Sequence, residues 1–343
     1  MSAPPPPTCG ALGCSAAASL QCSGCGQAFF CRPKCARAAW RAGHRRACAA
    51  LAAANPPPLL AATVALGELR RGVSIARAVA LLREFAYEPA VVEAAASSIA
   101  SAATGEYSAA ACIAAGAPAV LAALAGSPAL QGSILTLRHI ARAFCNIAGS
   151  DFETRQTGVA ACVRAGAPAA LCAFARLPSV ADCKKTTFVV AWALGFISST
   201  KAGSIECLAA RAPAALLSLL QQPKIRREAI AVEKLLWVMA SLTDGERGAA
   251  ACIAAGAPAV LVAMLESPVV QSSAQALREA AQAIANISIS PAGHNACVAA
   301  RAPAILLSLT YRSILRGKEN AAGSILRMED ELVCYLRERR LRF

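Results

Sequence analysis

Histidine, aromatic residues and acidic residues are all scarce in this 343-residue chain: three His, 5% Phe, Trp and Tyr, and 20 Asp and Glu against 34 Lys and Arg. A Gly-rich phosphate loop, a Gly-x-Ser-x-Gly elbow and an open-site metal motif are all missing, and His139 and His294 stand isolated. No enzyme activity is therefore expected. The chain also lacks an unbroken apolar run of about 20 residues, the length a bilayer requires. Ala109 to Ala125 comes nearest but is broken by Gly116 and Pro118, and its later copies carry Arg164, Arg211 or Arg301, charges that are costly in lipid. Membrane insertion is not expected, despite a mean hydropathy of +0.49. With 57% hydrophobic residues the chain has too much apolar surface to be globally disordered. Met1-Ser2-Ala3 followed by Pro4 to Pro7 offers neither a basic start nor an apolar stretch, so a secretory signal is not expected. The expected location is intracellular, cytoplasmic or nuclear or both. Sixteen cysteines in such a chain point to metal binding or core packing rather than disulfides.

Seven of those cysteines precede Ala49 and form, with His44, four pairs: Cys9-x4-Cys14, Cys22-x2-Cys25, Cys31-x3-Cys35 and His44-x3-Cys48. A two-residue gap lets a tight turn aim two thiolates at one ion, and a three-residue gap puts two ligands on one helix face. Eight soft ligands fill two closed tetrahedral zinc sites, a structural rather than catalytic arrangement. So short a stretch, with few apolar anchors, needs metal to fold.

The run Cys22-Ser23-Gly24-Cys25, Phe29-Phe30-Cys31, Cys35, Trp40 and His44-x3-Cys48 resembles the MYND zinc finger over about 40 residues. The resemblance implies interleaved sites, with Cys9, Cys14, Cys31 and Cys35 holding one zinc and Cys22, Cys25, His44 and Cys48 the other. It also implies a protein-interaction module, since several relatives take proline-containing peptides such as PxLxP beside the tryptophan equivalent to Trp40. Two features depart from the family: the four-residue gap of the first pair, and Ala36 where a glutamine is frequent. Trp40 is either a peptide-binding residue or a cover for the zinc core.

Arg32, Lys34, Arg37, Arg41, Arg45 and Arg46 make this segment basic, with no acidic residue before Glu68. Two zinc ions held by seven thiolates lower the formal charge of +14 to about +11. A solvated basic face is the simpler reading, and nucleic-acid contact by the finger and the C-terminal tail is the alternative.

From residue 60 onward the sequence repeats itself. Cys112, Cys162, Cys207, Cys252 and Cys297 recur at intervals of 50, 45, 45 and 45, each followed five or six residues later by Ala-Pro, as in Ala111-Cys-Ile-Ala-Ala-Gly-Ala-Pro118. This period indicates an α-solenoid of three-helix units. The Gly ends a first helix, the Pro opens a second, and a longer third helix follows a Ser/Pro break. Leu130, Ile134, Leu137, Ala141, Phe144 and Ala148 form an apolar stripe expected on one such third helix. The repeat cysteines are expected to be core residues, and Gly72 to mark a degenerate first unit.

The Gly-Ala-Pro turns and the length of the repeat resemble armadillo repeats over residues 60 to 343. The resemblance implies an all-α, right-handed solenoid of about five to six units, whose groove binds extended peptides through Trp-x3-Asn pairs. The corresponding pairs here are Ser97/Ser101, Arg142/Asn146, Trp192/Phe196, Trp237/Ser241 and Gln282/Asn286, and no unit has both members. A basic chain without complete pairs is not expected to be a receptor for basic nuclear-localisation peptides. Asn146 and Asn286 are candidate peptide-binding residues, and Trp192 and Trp237 are either peptide slots or inter-repeat packing.

The expected organisation is thus a disordered Pro-rich tail at 1–8, the finger at 9–48, a stiff linker at 49–59 containing Asn55-Pro56-Pro57-Pro58, and the solenoid at 60–343. Ile325, Met328, Leu332 and Leu336, with Arg337, Arg339, Arg340 and Arg342, read as a basic capping helix. The five extra residues around Ser150 to Arg155 read as a lengthened loop. The function expected is an adaptor or scaffold, with two structural Zn²⁺ and protein partners. The SET and MYND methyltransferases, which carry a similar finger, need a β-rich catalytic domain for which a helical repeat leaves no room.

Overall fold

A computed structural model of the chain describes residues 9, 14, 20–22, 28–44, 47–48, 58–104, 106–127, 130, 132–149 and 152–315. Cys25, the tail at 1–8, the linker residues 49–57, Ser150, Asp151 and the capping segment from Ile325 lie outside the described residues. The chain divides into two units, 1–73 and 74–343.

In the first unit Leu20–Gln21 pairs antiparallel with Phe29–Phe30, Leu20 opposite Phe30. Pro33 then opens a helix, Pro33–Ala39, and its fixed φ suits the first turn, where no amide partner is needed. The chain continues in a wider helical turn over Trp40–His44, broken at Gly43, whose φ of 129° bends the backbone. Phe30 is buried against Cys9 and Cys35. A final helix spans Pro58–Arg71, and Gly72 (φ 88°) follows it.

The second unit is the repeat that the 45-residue interval predicts. It opens with Ile75–Glu84 and Pro89–Ala102, and successive first and second helices follow at Glu106–Ala114 with Ala117–Ala125, Phe152–Arg164 with Ala167–Ala175, and Lys201–Ala209 with Ala212–Gln221. Glu246–Ala254 with Ala257–Leu265 and Pro291–Ala299 with Ala302–Leu315 complete the series. The third helices, Ile134–Ala148, Lys184–Ser198, Ala229–Leu242 and Ala274–Ser288, pack side by side in chain order, with Pro89–Ala102 ahead of them. They form a ladder, one rung per repeat. Each buries an apolar stripe between its neighbours, as with Leu137, Ile140, Phe144 and Ile147, all fully buried. Burying one such side chain contributes roughly 1.5–3 kcal/mol, so the stack rather than the single repeat supplies the core. The five repeat cysteines are buried as expected.

The elbow between first and second helices requires a left-handed residue. Gly116, Gly166 and Gly256 sit there at φ 75° to 80°. Arg211 and Arg301 occupy the same place at 58° and 64°, a conformation that costs a side-chain-bearing residue about 1–2 kcal/mol. Arg176 compensates in one case by donating from Nη2 to the carbonyls of Ala210 (2.9 Å) and Arg211 (3.3 Å). Arg211→Gly is expected to stabilise the repeat by up to about 1 kcal/mol, because relief of strain outweighs the added freedom of the unfolded chain. A raised urea midpoint with an unchanged slope checks this.

Three features differ from the sequence reading. Leu130 is buried but precedes the third helix, which begins at Ile134 behind the cap Ser133. With Val180, Ile225 and Val270 it forms a set at the repeat interval, each placing one aliphatic side chain in the core from the connection between second and third helices. From Phe152 the inserted residues are helix rather than loop, and the first helix they lengthen runs 13 residues where its counterparts have nine. Finally, Gly158, Gly203, Gly248 and Gly293 recur one turn before the last four repeat cysteines, where Ser108 stands before Cys112. A Cβ on any of them would lie 1.8–2.1 Å from a carbonyl oxygen of the preceding third helix. Gly203→Ala gains about 1 kcal/mol of helix propensity but forces two backbones apart, and the clash wins. Destabilisation of about 2 kcal/mol or more is expected in a denaturant titration.

Among the described residues no single helix is long and apolar enough to cross a membrane. Four helix pairs pass by length and composition, but each bends by 70° to 84° at the elbow.

Candidate metal centre and ladder face

The strand pair and the helix behind it gather the metal ligands. Phe29–Phe30 delivers Cys31, and one helical turn later Cys35 presents its thiol on the same side. The sulfurs of Cys9, Cys14, Cys31 and Cys35 all lie within 4.8 Å of one another. Cys14 and Cys31 are 3.6 Å apart, and Cys31 and Cys35 are 3.5 Å apart. Tetrahedral zinc with bonds near 2.3 Å separates its sulfurs by about 3.8 Å, so the cluster has the right size. The second cluster joins Cys22, His44 and Cys48, with Sγ to Sγ 3.8 Å between Cys22 and Cys48 and 3.3 Å from His44 Nε2 to Cys22 Sγ. The two sets interleave along the chain. Together they fit two zinc ions, and Cys25, the fourth ligand implied for the second, lies outside the described residues.

The electrostatics agree with that donor set. A hydrogen bond with Cys35, then burial and the neighbouring Cys14 and Cys9, push the Cys31 thiol up to about 12. Four thiols this close cannot all ionise alone, whereas a dication reverses the balance and makes thiolate the favoured form. Arg32 hydrogen-bonds Cys35, and the Cys35 sulfur holds its guanidinium above the ordinary value, placing a compensating positive charge beside the cluster. Trp40 is 43% exposed and sets its ring edge-on to His44, 5.9 Å away. It touches a metal ligand and water at once.

The other candidates lie on the ladder. Asn146 Nδ2 donates to Ala100 O (2.7 Å) in the last turn of the preceding rung. Asn286 repeats the contact one rung after Trp237, reaching Ala240 O (3.4 Å) and Thr243 Oγ1 (3.3 Å), while Gln282 donates to its Oδ1 (2.8 Å). Both amides therefore donate to carbonyls in the last turn of the preceding rung, Ala240 O being shared with Thr243 Oγ1 (2.8 Å), and tie adjacent repeats together.

Trp192 and Trp237 belong to one aromatic run. Phe188 and Trp192 lie 5.0 Å apart, Trp192 stacks on Phe196 at 5.8 Å, and Phe196 meets Trp237 edge-on at 5.8 Å. Glycines make room for it: a Cβ at Gly149 would strike Phe196 at 2.5 Å, and one at Gly195 would strike the Trp237 ring at 2.0 Å. Trp237 packs between rungs, while Trp192 remains 37% exposed. Arg155, carried by the lengthened first helix, places its guanidinium 5.7 Å from the Phe196 ring centre. Sequence reasoning placed Phe196 in the groove pair with Trp192 but missed Phe188 and Arg155 as members of this surface. The i, i+4, i+8 spacing of Phe188, Trp192 and Phe196 was the available signal.

Comparison with known proteins agrees with both halves. The MYND finger family matches residues 7–48. No curated protein matches the chain. Among solved structures, a designed armadillo repeat protein in complex with peptide (KR)4 is similar at 20% identity and a TM-score of 0.59, covering 75% of this chain and 99% of its own. A second designed armadillo repeat protein, at 19% identity and 0.56, covers 74% and 100%. An engineered protein at 22% identity and 0.58 covers 74% and 98%. Residues 7–48 are thus a MYND-type zinc finger, and the helical part has the armadillo-repeat fold.

Proposed function

We propose that the protein is a non-enzymatic adaptor that binds proteins through two surfaces, the finger around Trp40 and the ladder face around Trp192. The observation that carries this reading is the aromatic run. A large ring left 37% exposed on a helix ladder, seated on Phe188 and on Phe196, which Trp237 braces in turn, is an anchor for a partner side chain. The finger supports the reading from the other end: its ligand set suits structural zinc, and Trp40 stands half in water beside it. One of the solved structures with this fold holds a peptide, by its description. Two linked surfaces of modest affinity give avidity for a bivalent partner, or bring two partners together.

Pull-down from nuclease-treated lysate tests the proposal, with the intact protein compared against Trp192→Ala, Trp40→Ala and the double variant. Each single variant is expected to lose part of a reproducible protein set and the double variant nearly all of it. Retention of the whole set by the double variant, or loss of every partner on nuclease treatment, overturns the proposal; the second result transfers the function to nucleic-acid association.

A further inference from the structure

The ladder face has a charge pattern that selects among partners. Three carboxylates stand on the described third helices and on Pro89–Ala102 ahead of them, and all three are engaged within the protein. Glu93 accepts from Ser133 (3.2 Å). Glu233 is held by Lys234 (3.1 Å) and Ser273 (3.3 Å), and Glu279 by Arg278 (3.3 Å) and Gln275. The rungs Ile134–Ala148 and Lys184–Ser198 contain no carboxylate at all.

Lys184 pairs with Glu228 (3.0 Å) at the start of its rung, but the two arginines of Ile134–Ala148 have only neutral partners. Arg142 Nη2 donates to Ser101 Oγ (2.6 Å), and its Nε has no partner. Arg138 donates to Thr186 Oγ1 (3.2 Å) and Cys183 Sγ (3.6 Å). Neither guanidinium meets a carboxylate among the described residues. Arg142 occupies on its rung the place that Trp192 occupies on the next and Trp237 on the one after, at the repeat intervals of 50 and 45. An unneutralised cation thus stands beside an aromatic anchor in one row.

Resting on the adaptor reading of this face, we infer that the ladder takes an acidic, extended peptide whose carboxylate pairs with Arg142 and whose apolar side chain packs on Trp192. The spacing follows from geometry. Packed helices lie about 8–10 Å apart, and an extended chain advances about 3.3 Å per residue. Successive rungs therefore meet every third peptide residue, giving an Asp or Glu three positions from a large apolar residue. A guanidinium can bind such a carboxylate through two parallel N–H donors. Basic peptides are disfavoured by Arg138 and Arg142, and the one carboxylate of the described rungs without a cationic partner, Glu93, already accepts from Ser133.

Selection from a random decapeptide pool by the full-length protein tests the inference. The retained pool is expected to be enriched about threefold or more in Asp and Glu three positions from Trp, Phe or Leu. Arg142→Glu should abolish or reverse that enrichment, and Trp192→Ala should remove the apolar preference while leaving the acidic one. For an individual selected peptide, Arg142→Ala is expected to weaken binding about tenfold and to flatten its dependence on salt. Unchanged helicity of each variant excludes misfolding. A pool enriched in neutral or basic peptides overturns the charge assignment and leaves the adaptor reading standing. A pool without any enrichment, or binding lost entirely to a single-stranded oligonucleotide competitor, overturns the inference; the pull-down then decides the adaptor reading by itself.

Discussion

Chelation of zinc at neutral pH is expected to unfold residues 9–48 and to leave the helical signal and melting temperature of the repeat nearly unchanged. Phe30 is the one large apolar side chain buried among the described finger residues, contributing roughly 2–3 kcal/mol. Ordering a backbone of this length opposes folding by about 1–2 kcal/mol per residue. Metal ligation has to supply the difference, and structural zinc contributes roughly 10–16 kcal/mol per ion in comparable small modules. Two equivalents of zinc per chain should be released, in a chromogenic chelator assay. Lowering the pH should release them as well, because each ligand must shed a proton to bind and acid reverses that step. The two compact units argue that the repeat survives. Loss of the repeat's melting transition together with the metal would contradict this, and would make the finger a cap on the stack.

Alkaline pH is expected to have the opposite target, unfolding the repeat through its core thiols. Burial pushes Cys112, Cys172 and Cys297 up to about 11 and Cys145, Cys162 and Cys252 up to about 12, and raises Cys207 as well. In the unfolded chain these thiols lose their protons near 8.5. A group whose folded pKa is raised stabilises the fold fully below the unfolded value, and that stability disappears as pH rises toward the folded one. Between about pH 8.5 and 11 the unfolded state therefore holds fewer protons than the folded state, and stability falls by about 1.4 kcal/mol per thiol per pH unit. Seven buried thiols make this roughly 10 kcal/mol per pH unit at full slope, comparable with the whole stability of a domain. The melting temperature, followed by circular dichroism under reducing conditions, should drop steeply between pH 8.5 and 10. Cys207→Ala should shallow that drop by about one proton's worth. A flat profile across this range would show the thiols to be less buried than their position between helices implies.

The repeat was readable because its signals are local and recur: cysteine, Gly-Ala-Pro and an apolar stripe at a nearly constant interval. The metal ligands were readable because chelate spacing is a property of the chain alone. What escaped the sequence depends on neighbours that the chain brings close from other repeats. The glycine before each of the last four repeat cysteines had no visible purpose until the preceding helix end was seen against it. Leu130 continues the periodicity of the helix behind it, yet Ser133 ends that helix early by accepting from the Thr136 amide. Asn146 and Asn286 looked like groove residues, and the amides turn back to carbonyls 46 residues earlier. Arg155 sits in what read as an inserted loop, and one added helical turn carries it to Phe196.

The account rests on the two tryptophan-centred surfaces being where proteins bind. A photo-crosslinking amino acid placed at position 40, at position 192 and, as a control, at the fully displayed Tyr87 position tests this most directly in nuclease-treated lysate. Discrete protein adducts at 40 and 192, with none of the same mass at 87, are the expected result. Equal, diffuse labelling at all three positions, or adducts at 40 and 192 that contain only nucleic-acid fragments, would contradict it.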